Sequence, residues 1–471
     1  MDERAGGTAG ARERGAPGAP PAGDAAETVT SVSGAGTPRA ADGTGPAEQA
    51  PVSLKHPITL YSHVIVVAIV GAFATLAFLI VYEQVNTLLW ENAFVLENRW
   101  MFPVICLPFS LLVGLLVKYR HAPTNLDESM LDSLSGDVSA IDWRTLPVNV
   151  VQAWASLFSG AVLGPEGGIG GIASKVAVLY GEKAGIPAEH RSQAVFATLA
   201  SAYNGLIANP LFTGVLATEL VRDAAARAKN MPANLVGGSI GFLIFWGIGS
   251  TGLENYLHLA GDQAFTWWDV PLVVLFGLVG LVLAVVAGIF MRAAAGLFGR
   301  LRGREVERAL AAGLVFSAVG IVAPVVLFSG ETQIQAVVAD PASYGPVALV
   351  AMAFVKLALL AVAFKGGFLG GPTFPSIFAA TCVALAVSLL FPGLRVDVLI
   401  AGTMAGFLTV LFKAPFMVIL LTAVMLQADT ETIALIVLAV ASVLVVQPYL
   451  LAAITARQAA RAGRKGTPAA A

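Results

Sequence analysis

Long apolar stretches alternate with short polar or glycine-rich breaks along most of this chain. Residues 57–82 carry no Asp, Glu, Lys or Arg. At about 1.5 Å per residue, such a run crosses the ~30 Å hydrocarbon core of a bilayer as a helix. Comparable runs cover residues 101–117, 235–252, 270–291, 309–330, 346–355, 396–412 and 433–456, with a single Asp397 in the sixth of these. The pattern predicts an all-α polytopic membrane protein. Two breaks stand out within it: Leu163-Gly164-Pro165-Glu166-Gly167-Gly168 and Gly370-Gly371-Pro372-Thr373-Phe374-Pro375. Both put helix-breaking residues into apolar sequence, and the first adds a carboxylate. Irregular backbone at membrane depth is tolerated only where it lines a protected cavity, and a carboxylate there points to function.

The breaks are spaced as a repeat. An apolar run opens near Ile58 and another near Val270; Gly164-Pro165 returns as Gly371-Pro372, and Asn209-Pro210-Leu211 as Ala414-Pro415-Phe416. All three landmarks recur in order, about 205 to 212 residues on. Internal repeats with broken helices in matching places suggest a transport site between the halves. The alternative is two unrelated glycine-rich helix contacts. The expected organisation is a membrane domain over residues 53–460, with halves at about 57–252 and 268–460. Residues 1–52, rich in Gly, Ala, Pro, Ser and Thr, read as a disordered cytosolic tail. Residues 461–471 read as a short basic tail, leaving no room for a folded regulatory domain.

Charge assigns the faces. Lys118, Arg120 and His121, then Arg222, Arg227 and Lys229, then Arg292, Arg300, Arg302, Arg304 and Arg308, and finally Arg457, Arg461, Arg464 and Lys465 form basic loops or ends. The positive-inside rule puts these, and both termini, in the cytosol of a protein in the plasma membrane. Residues 83–97, 251–268 and 330–345 lack Lys and Arg and fit the outside. At 57% hydrophobic, 12% charged and a net charge of −2, the chain offers nothing to nucleic acid. Cys106 and Cys382 lie in apolar stretches, and five scattered histidines lack metal-ligand spacing, so no metal or cofactor is expected. No His-Glu-x-x-His motif, paired aspartates within a span or Ser-His constellation suggests an enzyme.

At its motifs the chain resembles the CLC family of chloride channels and proton-coupled chloride antiporters. Gly164-Pro165-Glu166-Gly167-Gly168 is similar to the family's Gly-Arg-Glu-Gly-Pro, and Gly370–Pro375 to its Gly-x-Phe-x-Pro. Lys356 resembles a lysine in the helix leading to the second motif, and Asn209-Pro210-Leu211 with Glu219 resembles the stretch leading to paired glutamates. The resemblance spans about residues 55–460. It implies a CLC-like inverted repeat of about 18 helices, many half-spanning, in a homodimer with one pore per subunit, here a divergent bacterial-type branch without C-terminal CBS domains. It implies chloride or a similar small anion as substrate, protons as possible partners, and helix N-termini around the anion. Glu166 would be a gate or proton carrier competing for the anion's site; capping the following helix is its plainer role, and both can hold at once. Gly164, Gly167, Gly371, Thr373 and Phe374 would frame that site.

The chain departs from the family at five points. Pro165 stands where the family has a basic residue beside the gate glutamate. Thr124, in Pro123-Thr124-Asn125-Leu126-Asp127-Glu128, takes the place of the usual anion-binding serine, or is an ordinary turn residue. The family's phenylalanine falls on Thr373, with Phe374 displaced by one, and Pro372 removes one N–H donor. Tyr449 is either the anion-binding tyrosine or an interfacial anchor. Glu219 matches the first paired glutamate and Leu220 the second, so Glu219 is a proton relay or only a partner of Arg222. A cation- or proton-coupled secondary transporter is the alternative function. It would call for several intramembrane acids, whereas Glu166 alone lies deep.

Overall fold

The structure is a computed structural model describing residues 55–124, 138, 141–249, 257 and 264–465. The chain divides into two units, 1–52 and 53–471. The expected tail of residues 1–52, the stretch 125–128 and residues 466–471 lie outside the described residues.

Sixteen α-helices make up the described residues. The first half holds α1 (Lys55–Trp90), α2 (Ala93–Glu97), α3 (Met101–Arg120), α4 (Leu146–Phe158), α5 (Glu166–Lys183), α6 (Arg191–Leu206), α7 (Phe212–Leu220) and α8 (Ala224–Ile248). The second holds α9 (Asp269–Phe298), α10 (Glu305–Val322), α11 (Glu331–Ala339), α12 (Gly345–Gly366), α13 (Thr373–Leu390), α14 (Val396–Phe412), α15 (Pro415–Met425) and α16 (Thr430–Lys465). Seven of these are long and apolar enough to cross a membrane. Several others are half that length, and the two motifs occupy breaks between helices. α16 continues to Lys465, so the first residues of the expected basic tail extend a helix.

The packing repeats with the sequence. α6 lies against α1, α5 and α8; α14 lies against α9, α13 and α16 in the same way. The halves meet through α3 against α10 and α7 against α15. Even the caps recur. Asp223 accepts from Ala225 N at 3.0 Å ahead of α8, and Asp429 from Thr432 N at 2.8 Å ahead of α16. Each satisfies one N–H that the helix leaves unpaired. Hydrogen bonding to Thr432 holds the Asp429 carboxyl below the usual carboxylate range.

Small residues let these helices touch. A Cβ on Gly237 would strike the Ala197 carbonyl, and one on Gly241 that of Ser201, where α8 crosses α6. On the other side, Gly280 faces the Thr403 carbonyl and Gly406 that of Gly277, where α9 crosses α14. In lipid, where apolar helices gain little from mutual burial, such close backbone approach is the main source of association.

One apolar run does not form a single helix. Within residues 309–330, α10 ends at Val322, and a short 3-10 turn at Pro324–Val326 follows. Pro324 lacks the N–H that would continue the ladder. Phe328, at φ 60, then donates its N–H to the Gly160 carbonyl at 3.4 Å. The run read as 346–355 is longer than its charge-free part: α12 continues through Lys356, which is 0% exposed.

Gly406→Val should cost about 3 kcal/mol or more, because backbone stands where the side chain must go. Gly288→Val, whose Cβ meets nothing within 4 Å, should stay within about 0.5 kcal/mol. Thermal unfolding of the two variants in detergent checks the contrast.

Candidate functional site

The two motifs meet. Gly164 N donates to Gly371 O at 2.8 Å, and Gly371 N donates to Gly164 O at 2.9 Å, an isolated antiparallel bridge. α5 starts two residues after Gly164 and α13 two residues after Gly371. Pro165 and Pro372 precede the two helices, where a ring that fixes φ and lacks an N–H suits a helix start. The bridge therefore brings two helix N-termini, each carrying about half a positive charge, to one place.

Glu166 fills the space that the bridge leaves. It is 4% exposed. A Cβ on Gly164 would lie 2.6 Å from the Glu166 Cδ, and one on Gly371 2.7 Å from it. The absence of a side chain at both positions leaves the carboxylate the room to lie over them. The carboxylate faces the hydroxyl and N–H of Thr373 and the N–H of Phe374. Neither oxygen closes a hydrogen bond of ordinary geometry. The carboxylate lies at the start of α13, where the helix-end charge favours an anion. Pro372 contributes no donor, and Thr373 and Phe374 supply the N–H groups instead. Gly167 packs on the opposite motif, its Cβ position 2.9 Å from the Gly370 carbonyl carbon.

A buried polar stripe on α4 supports this arrangement. Asn149, Gln152 and Ser156 are all buried, at the three- and four-residue spacing of one helix face. Asn149 Nδ2 donates to Gly168 O at 3.4 Å, and Gln152 Nε2 to Gly367 O at 3.3 Å. Ser156 Oγ accepts from Leu369 N at 2.9 Å. One helix thereby holds the approaches to both motifs. Tyr203 on α6 donates its hydroxyl to Glu166 O at 2.7 Å, fixing the start of α5. Lys356 is tied off: Nζ donates to Leu327 O at 2.8 Å and sits 4.5 Å from the Phe378 ring centroid.

The chain matches the voltage gated chloride channel family over residues 109–447. It belongs to that family. Among its relatives is "Putative ion-transport protein YfeO" of Escherichia coli O7:K1 (strain IAI39 / ExPEC), 22% identical over 340 residues, 70% of this chain and 78% of that one. A slow cyanobacterial Cl-/H+ antiporter shares its fold at a TM-score of 0.68 and 18% identity, over 83% of this chain and 94% of that one. A CLC-type fluoride/proton antiporter does so at 0.62 and 19%, over 83% and 96%. The CLC-like inverted repeat expected from the motifs is therefore the fold, and this member is an integral membrane protein.

Of the residues singled out in the sequence, Gly164, Glu166, Gly167, Gly371, Thr373 and Phe374 are brought together. Thr124 lies half-buried beyond α3, at the edge of a stretch outside the described residues. Tyr449 is 76% exposed on α16, a position that suits an interfacial anchor. Glu219 has a different partner from Arg222. Its Oε1 accepts from Phe416 N at 2.8 Å and its Oε2 from Met417 N at 2.9 Å, capping α15 of the other half. Asn149, Gln152, Ser156 and Tyr203 were not foreseen; polar residues three or four apart in the segment before Gly164 were the signal for the first three.

Alanine at position 371 meets the movable end of Glu166, whereas alanine at 370 meets the Leu163 Cβ and, at 2.9 Å, the Gly164 carbonyl. Gly371→Ala should yield folded protein with the carboxylate displaced, and Gly370→Ala should break the bridge and lower the yield of folded protein several-fold. Size-exclusion profiles, with the position of Glu166 in a structure of the first variant, check both.

Proposed function

We propose that this protein transports a small anion of the chloride type across the membrane, with Glu166 as a gate that competes for the anion's own place. The observation that carries this reading is the buried Glu166 carboxylate over the Gly164–Gly371 bridge, facing the N-terminus of α13 without a closed hydrogen bond. A position that accommodates a carboxylate by helix-end charge suits a halide as well. It binds without a full cationic partner, so the anion can leave again. Protonation of Glu166 removes the competing charge and frees the position. The names of the solved neighbours, antiporters of chloride or fluoride with protons, agree with this choice of anion and proton.

In this reading Thr373, with its hydroxyl and N–H, and the N–H of Phe374 are the anion's donors, and Gly164, Gly167 and Gly371 are the room it needs. Thr124 would line the approach from the basic face. Glu219 serves as the cap of α15, and Leu220 beside it carries no proton. Proton traffic therefore rests on Glu166, and coupling beyond that residue is weak. The protein would work as a homodimer, as the family resemblance implies, in the plasma membrane; its basic loops suggest that both termini lie in the cytosol.

Reconstitution into vesicles tests this. Chloride and fluoride flux should rise as pH falls, because the protonated gate is open. Glu166→Gln, which copies the protonated state, should move anions at least as fast as the acidified wild type and with a flat pH profile. Potassium flux without anion flux, or unchanged pH dependence in Glu166→Gln, would sink the reading.

A further inference from the structure

A groove of about 610 Å³ lies away from the Glu166 site, between the start of α9 and the turn ahead of α14. Asp269, in the first turn of α9, and Arg395 give it a polar end. Leu272 and Leu275, within the next two turns of α9, give it an apolar one. Both charged residues are buried. Arg395 Nη1 donates to Asp269 Oδ2 at 3.0 Å, Nε to Asp397 Oδ1 at 3.2 Å, and Nη2 to Asp397 Oδ2. Asp429, at the start of α16, lies within electrostatic reach of the same guanidinium. The helices α9, α14 and α16, which pack on one another, each bring a carboxylate to one arginine. A single positive charge therefore stands among three negative ones. Each Nη keeps a second N–H beyond these bonds.

The groove opens at the edge of the apolar belt. Trp267 is 83% exposed, and Trp268, which lines the groove, is 82% exposed. Indole rings so exposed beside a membrane span sit at headgroup level. From Leu275 the exposed positions of α9 continue as Val282 and Ile289, at seven-residue steps. That spacing keeps nearly one face of the helix over about 21 Å. A stripe of this length covers more than one leaflet of a hydrocarbon core about 30 Å thick. Charge at the water edge and an apolar track leading into the membrane are the complement of an amphiphile, with its head at Arg395 and its chain along α9.

We propose that this groove binds a phospholipid with a primary ammonium headgroup, of the phosphatidylethanolamine class, in the leaflet at the start of α9. The lipid phosphate takes the spare N–H groups of Arg395. The ammonium meets Asp397, whose side chain is 25% exposed, and the face of Trp268. One acyl chain lies along Leu275, Val282 and Ile289. The excess of carboxylates selects the head: it attracts an ammonium and repels a lipid of net negative charge. A trimethylated amine keeps the charge but cannot donate a hydrogen bond to Asp397. The plainer role of the ion pairs is to tie three helix starts together, with any lipid covering the groove; that role gives no headgroup preference. The inference stands apart from the anion-transport reading, since the groove shares no residue with the Glu166 site.

Native mass spectrometry of the full-length protein in detergent tests this. The protein is titrated with phosphatidylethanolamine, phosphatidylcholine and phosphatidylglycerol of identical acyl chains. Wild type should bind phosphatidylethanolamine about fivefold more tightly than phosphatidylglycerol, with phosphatidylcholine between them. Asp397→Asn, which removes one negative charge, should bring the preference over phosphatidylglycerol to within about twofold. Leu275→Trp, which fills the apolar end from an exposed position, should weaken phosphatidylethanolamine binding about fivefold. Phosphatidylglycerol binding as tightly as phosphatidylethanolamine in wild type would overturn the proposal. So would a preference unchanged in Asp397→Asn, or phosphatidylethanolamine binding unchanged in Leu275→Trp. Should Asp397→Asn not fold, Leu275→Trp decides alone: weakened phosphatidylethanolamine binding supports the site, and undiminished binding rejects it.

Discussion

Two backbone hydrogen bonds between Gly164 and Gly371 are the constraint on which the rest of this protein depends. They join the two halves where each is broken at its glycine–proline motif. They set two helix N-termini side by side, and because neither residue has a side chain they leave a space in which a carboxylate fits. The proline after each glycine stops the previous backbone pattern and starts a helix at once. Remove the bridge and α5 and α13 lose their common origin; fill it with side chains and Glu166 loses its place. The tight glycine crossings of α6 with α8 and of α9 with α14 hold the outer helices so that this small contact is reproduced faithfully.

The electrostatics around the bridge follow a division of labour. Full positive charges are present in the interior, but each is committed elsewhere: Lys356 to a carbonyl and an aromatic face, Lys175 to Asn149. What remains at the centre is the partial charge of helix ends, distributed over N–H groups of Thr373 and Phe374. Such a field favours a negative charge without fixing it rigidly, which suits the gate proposed for Glu166. The α4 stripe of Asn149, Gln152 and Ser156 supplies neutral polar groups to the backbone beside both motifs.

Much of this was legible in the sequence, for a physical reason. Glycine, proline and a carboxylate inside apolar sequence are costly in lipid, so the two motifs stood out, and their recurrence exposed the repeat. What escaped was of two kinds. Asn149, Gln152 and Ser156 sit on a 13-residue helix that is polar on its buried side, too short to read as a span of its own. Long-range partners form the second kind: the acceptor role of Glu219 toward Phe416 and Met417 depends on how the halves cross, while its local neighbour Arg222 was the only partner visible in one dimension. The unbroken look of residues 309–330 misled for a related reason, since Pro324 is apolar in composition yet ends the helix.

The central claim is that anion and carboxylate exclude each other from one position. Binding of the one is then linked to the charge of the other. Calorimetric titration of chloride into purified protein, repeated in buffers of different ionisation enthalpy, reports this linkage as protons taken up per anion bound. The account predicts proton uptake in wild type and none in Glu166→Gln, with tighter chloride binding in the variant at alkaline pH. Chloride binding of equal affinity in both proteins, with no protons exchanged in either, would contradict it.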